Sequence, residues 1–109
     1  MKKLYIAILA ALTMVTWSAQ AEEAKVNFDK NCAACHGKEG KGDTPMGQKL
    51  EAKDFSDAKV QAALTDEKIS KTIKEGLKKG EKVVMRPYGE KFSEDEIKAL
   101  VKYVRAFKK

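Results

Sequence analysis

Cys32-Ala33-Ala34-Cys35-His36 puts two thiols and an imidazole within five consecutive residues, and these are the only cysteines and the only histidine of the chain. If one helical turn carries both cysteines, their three-residue spacing turns the two sulfurs to the same side, with His36 beside them. This trio limits the chemistry that is open to the chain. A structural zinc site needs four ligands, typically Cys or His, and the chain has too few. A thioredoxin-like Cys-x-x-Cys is expected near a strand-helix-strand pattern, and no strand is legible here. A catalytic thiol needs a separate histidine as base, whereas the one histidine is already next to Cys35. What remains is the attachment pattern of a c-type haem, with Cys32 and Cys35 bonded to the porphyrin vinyl groups and His36 aimed at the iron.

Such a haem is attached outside the cytoplasm, and the start of the chain is consistent with export. Lys2 and Lys3, the apolar run of 14 residues from Leu4 to Trp17 and the small-x-small ending Ala19-Gln20-Ala21 follow the order of a secretory signal. Cleavage is expected after Ala21, which makes residues 1–21 a signal peptide and residues 22–109 the domain, located in the periplasm. A membrane anchor would need roughly 20 apolar residues, and Gln20, Glu22 and Glu23 close this run early. No stable membrane insertion is therefore expected once the signal is gone. A domain this small usually depends on a disulfide, a metal or a cofactor. With both cysteines in the motif no other disulfide is available, and a covalent haem would supply the missing apolar centre.

The remaining pattern is helical. Glu22 to Ala34 reads as an amphipathic helix, with Phe28, Cys32 and Cys35 on one face. Lys38 to Leu50, rich in Gly with Thr44-Pro45 in its middle, reads as a loop around one side of the haem. A carbonyl in that loop is the expected acceptor for the second ring N-H of His36, since a ligating imidazole is normally oriented in this way. Lys53 to Ala63 allows a short helix or turn around Phe55. Thr65 is placed to cap a helix that carries Ile69, Ile73 and Leu77, with Gly76 near its end. Gly80 to Gly89 contains Pro87 and reads as an apolar loop. Ser93 and Glu96 form a capping box for a last helix with Ile97, Leu100, Val101, Val104 and Phe107 at helical spacing. The expected fold class is all-α, three or four helices with loops between them.

A single histidine excludes bis-histidine coordination within one chain, so the second axial ligand is sought among the methionines. Met46 and Met85 are the candidates outside the signal. For either, core filling is the ordinary alternative. Met46 follows His36 so closely that its loop would barely clear the porphyrin edge. Met85 lies beyond a helix, in the apolar loop before the last helix, and is favoured.

The chain resembles the class I cytochrome c family, in particular its small bacterial periplasmic monohaem members. The resemblance rests on Cys32-Ala33-Ala34-Cys35-His36-Gly37 with Phe28 four residues earlier, on Gly40-x-Gly42 with Thr44-Pro45-Met46-Gly47, and on Met85-x-Pro87-Tyr88-Gly89 before a Ser93-capped helix ending Ala99-Leu100-Val101-x-Tyr103-Val104. It implies a cytochrome c fold around one covalently bound haem c, with the first and last helices crossing near Phe28 and Tyr103. It further implies His36 and Met85 as axial ligands and the Pro45 carbonyl as acceptor for the His36 ring. Two departures stand out: glycine is absent from the small-residue position before Phe28, and Glu81-Lys82-Val83-Val84 makes the Met85 loop bulkier.

With both axial positions filled, the iron exchanges electrons but has no vacant place for a substrate. The expected function is that of an electron carrier between periplasmic redox proteins, not an enzyme. Val83, Val84 and Phe55 are expected to keep water from the iron. Once Lys2 and Lys3 leave with the signal the formal charge is +4, and this positive balance fits partners with acidic docking surfaces, met by Lys38, Lys41, Lys49, Lys82 and Arg86. Nucleic acid is a poor partner, because acidic residues interrupt every basic run and export removes the chain from it. A monomer is expected. Two alternatives are a haem-bearing subunit of a larger periplasmic oxidoreductase, and a ligand sensor or peroxidase-type enzyme in which Met85 leaves the iron. The signal reading predicts that the exported protein begins at Glu22, which N-terminal sequencing or the intact mass checks. A mass that still includes Met1 to Ala21 would contradict it.

Overall fold

The structure is a computed structural model that describes residues 19–109. The cleavable-signal reading of residues 1–21 therefore lies outside the described residues except at 19–21, which are helical. Helix α1 occupies residues 19–31, and a turn at Cys32 separates it from α2 at Ala33–His36. The expected single helix over Glu22 to Ala34 is thus divided at Cys32. Its hydrogen-bond ladder still runs across the break: Cys32 N donates to Phe28 O at 2.8 Å and His36 N to Cys32 O at 2.9 Å.

Four more helices follow: α3 at Pro45–Lys49, α4 at Ala58–Ala63, α5 at Asp66–Glu75 and α6 at Glu94–Arg105. The described residues hold six helical segments where three or four were expected, because the loops contain short ones. The Thr44 hydroxyl accepts from Gly47 N and Pro45 stands at the first helical position, which lets α3 form inside what reads as a loop. In α5 the side chain of Thr65 accepts from Lys68 N, and in α6 Ser93 and Glu96 complete the capping box.

A two-stranded antiparallel hairpin, β1 at Leu77–Lys79 and β2 at Lys82–Met85, replaces the expected loop start. The strands are too short, and β1 too uniformly exposed, to display period-two alternation. Gly76 ends α5 before Leu77, so Leu77 leaves the helical stripe and stands 49% exposed.

The core lies between α1, α5 and α6. Phe28, Ile97 and Leu100 are each 1% exposed, with Ile69, Ile73, Phe92, Val101 and Val104 around them. The Phe28 ring meets Tyr103 at 5.1 Å and Phe107 at 5.2 Å, which brings the first and last helices together. Ala24, one turn before Phe28, is 2% exposed. It is a small residue, buried on α1 where the expected glycine is absent. Phe107 lies in the turn after α6, against Gly40, where an added Cβ would come within 2.6 Å of its ring. Among the described residues no helix is long and apolar enough to cross a membrane.

Candidate haem-binding site

Because α1 is anchored by Phe28, the turn that follows it carries Cys32 and Cys35 at the edge of the core. Both thiols are free and half-buried. Burial pushes the Cys32 thiol up to about 11, with the nearby Cys35 adding to the shift and Lys91 opposing it. Burial also holds His36 below the usual imidazole value, so its ring is neutral at pH 7 and a nitrogen lone pair is available to a metal. The ring stacks on Phe55 at 5.0 Å with 28° between planes, and lies 6.4 Å from Phe28.

The segment after His36 is closed by backbone contacts. Gly42 N donates to His36 O at 2.8 Å and Phe55 N to Gly40 O at 2.7 Å. The Thr44 hydroxyl lies 2.7 Å from Ala34 O and 2.9 Å from Cys35 O, its two possible acceptors at the end of α2. Gly47 is required at its position, because a Cβ there would stand 2.1 Å from Cys35 O and 2.7 Å from Gly42 O. Thr44-Pro45-Met46-Gly47 thus forms a tight wall against the cysteine turn. One implied contact does not form in this structure: buried His36 Nδ1 has no hydrogen-bond partner, so the Pro45 carbonyl does not receive it.

The two methionines have different surroundings. Met46 points out of α3 and is 49% exposed. Met85, at the end of β2, is half-buried and packs on the core cluster, as Phe55, Leu64 and Tyr88 also do. Its loop is held on both sides. Tyr88 N donates to Ile73 O at 2.8 Å and Gly89 N to Lys74 O at 3.1 Å, which fixes it to α5. The Tyr88 hydroxyl donates to Asn31 O at 3.0 Å and Lys91 Nζ to Asn31 Oδ1 at 2.7 Å, which fixes it to the residue before Cys32. Val83, expected to shield the iron, is 50% exposed, since β2 turns it outward. Phe55 and Val84 are half-buried.

These residues fit a c-type haem. Two thiols sit on one helical turn, a neutral imidazole with an unpartnered buried nitrogen lies beside them, and a thioether is held at the same core. Among the described residues no group of three or more His, Cys, Asp or Glu could hold a bare metal ion. A groove of about 900 Å³ between the start of α1, α5 and α6 is lined by residues such as Ala24, Lys71, Lys98 and Tyr103. It contains none of the candidate ligands, and a groove without donors is a poor haem site whatever its size. Asn31, Gln61 and Arg105 were not legible as part of the site. Their roles depend on contacts across 39 to 60 positions of sequence, and no local pattern announces such contacts.

A family model described as "Cytochrome C oxidase, cbb3-type, subunit III" matches residues 19–104. Among solved structures, one described as KustC0563 c-type cytochrome is 40% identical to this chain, covers 79% of it and 98% of its own length, and has a TM-score of 0.71. A point mutant of that protein is also 40% identical, covers 79% and 99%, and has a TM-score of 0.69. No curated protein matches the chain.

Two substitutions test the clamps around the site. Gly47→Ala should lower stability by about 3 kcal/mol, the upper part of the usual overpacking range, because backbone atoms and not side-chain tips must move. Tyr88→Phe should cost about 1 kcal/mol, the net worth of one hydrogen bond. Denaturant unfolding of the haem-bearing protein measures both, and a wild-type midpoint in Gly47→Ala would show that α2 and α3 do not close on each other as described.

Proposed function

Because the chain belongs to the c-type cytochrome family of the cbb3-type subunit III kind, whose members hold haem c covalently, we propose that it carries one haem on Cys32 and Cys35 and transfers single electrons between periplasmic redox proteins. The observation that carries this reading is the tether from the Met85 loop to the cysteine turn, Tyr88 hydroxyl to Asn31 O at 3.0 Å. It holds Met85 and His36 to one frame, as a pair of axial ligands requires.

When bound, haem c supplies a reversible one-electron iron couple. The chain does the rest. Cys32 and Cys35 would hold the porphyrin, and the neutral His36 ring would offer its lone pair. Met85 offers a thioether, the ligand type that raises the potential relative to a second nitrogen. Phe55, stacked on the His36 ring, and the half-buried Leu64 and Val84 would limit the access of water. With His36 and Met85 both holding the iron no place would be left for a substrate, so the chain is read as a carrier and not as an enzyme. Its approach to partners is governed by charge. Lys79 contacts Glu51, which brings the hairpin near the end of α3; Lys49 and Lys82 are exposed there, as are the apolar side chains of Leu77 and Val83. Exposed apolar side chains on a hairpin that also carries lysines suit brief contact with an acidic partner. Lys41 contributes less, being paired with Glu39 at 3.4 Å.

The family description favours a second reading, that of a haem-bearing subunit in a larger oxidoreductase. A relative described simply as a c-type cytochrome suits the free carrier. Isolation from native membranes and periplasm separates them, since a subunit is recovered only in a stoichiometric complex.

Met85→Ala should abolish the sulfur-to-iron charge-transfer absorption and lower the reduction potential, while Met46→Ala should leave both near wild type. The reverse pattern in a spectroelectrochemical titration would exchange the two methionines. Reduction by an acidic redox protein, followed by stopped flow, should slow as salt is raised. A rate independent of ionic strength would remove the lysine surface from the mechanism.

A further inference from the structure

Gln61 is a buried polar side chain, 3% exposed, on a helix that carries none of the proposed haem ligands. Its amide is fully engaged. Nε2 donates to Phe55 O at 2.7 Å and to Val104 O at 2.9 Å. Its Oε1 and main-chain O accept from one Arg105 nitrogen at 3.0 and 2.8 Å. The other Arg105 donors reach Leu64 O at 2.8 Å and Asp66 Oδ1 at 2.7 Å. A buried amide satisfied in this way holds its neighbours to one geometry, because any slip leaves a carbonyl or an N-H unpaired away from water.

What Gln61 holds is next to the proposed iron ligand. The Phe55 backbone is fixed at both ends, its N-H by Gly40 O at 2.7 Å and its carbonyl by Gln61. Its ring is the one that stacks on His36 at 5.0 Å. The imidazole has no hydrogen bond at Nδ1 to orient it. The rings around the imidazole are Phe55 at 5.0 Å and Phe28 at 6.4 Å, and the Phe55 stack is the closer of the two.

We propose that Gln61 is a positioning residue for His36, acting through Phe55: by holding the Phe55 carbonyl between α4 and α6 it fixes the ring that sets the plane of the imidazole. The inference rests on the reading of His36 as axial ligand. The plane of that imidazole governs its overlap with the iron orbitals, so Gln61 acts on the redox centre without touching it. Arg105 holds Gln61 in turn, which links the last helix to the ligand geometry.

The test uses the full haem-bearing protein labelled with ¹⁵N-histidine, which reads His36 alone because the chain has one histidine. Gln61→Glu keeps the size and the acceptor for Arg105 but has no N-H for the Phe55 and Val104 carbonyls. Phe55→Leu removes the ring and keeps the backbone. Ser93→Ala removes the α6 cap and serves as a control for stability alone. In the ferric protein the His36 ring resonances, and with them the reduction potential, should move in the same sense in Gln61→Glu and Phe55→Leu, and stay at wild-type values in Ser93→Ala. A Gln61→Glu protein that unfolds more readily yet keeps wild-type resonances and potential overturns the proposal and leaves Gln61 structural only. Should that variant fail to fold, Arg105→Lys is read in the same way, with a smaller shift in the same sense in support and wild-type values against. Wild-type His36 resonances without a hyperfine shift would overturn the ligand reading itself, an outcome distinct from an unresponsive Gln61.

Discussion

Phe28 precedes Cys32 by one helical turn, so the depth at which its ring is buried fixes where the first thiol leaves the core. That ring is 1% exposed and lies between Tyr103 and Phe107 at 5.1 and 5.2 Å. Aromatic pairs at such separations gain from their geometry as well as from buried area. The contact joins the two ends of the described chain, and the rest is arranged from it. α1 delivers the cysteine turn to the core edge, α6 supplies Ile97, Leu100, Val101 and Val104 beneath it, and α5 closes the third side with Ile69 and Ile73.

Around this frame the site is built from backbone hydrogen bonds and not from long helices. Thr44 and Gly47 press α3 against Cys35 O, Gly42 N holds His36 O, and Tyr88 joins the Met85 loop to Asn31 O. Short segments of this kind have little stability alone. They persist because each carbonyl has a nearby donor, and because a small core leaves much of the required apolar surface to a cofactor. The haem of a c-type cytochrome is thus part of the fold as well as its redox centre, and its two covalent bonds keep it in place when the iron changes charge.

Charge is distributed in two distinct ways. Arg105 is engaged by Gln61, Leu64 and Asp66 and serves the interior. Most lysines are exposed and contribute little to stability even where they meet a carboxylate, as Lys74 does with Glu94. Their proposed effect is on encounter, where a field of one sign would speed the approach of an acidic partner without a large permanent interface.

The sequence by itself determined the chemistry and the main helices. Cys32, Cys35 and His36 are adjacent in the chain, and the Thr65 and Ser93 caps and the stripes of α5 and α6 are set by local bonding and helical period. Those signals survive without tertiary context. Only the tertiary structure decided the divided helix at Cys32, the short α3, the Leu77–Met85 hairpin and the half-burial of Met85 against the exposure of Met46. It also brought Gln61, 43 positions from Val104, against Phe55 and so next to His36. These outcomes depend on which distant carbonyl meets which donor, and on how two close-packed helices divide the space between them. Neither is encoded in a window of neighbouring residues.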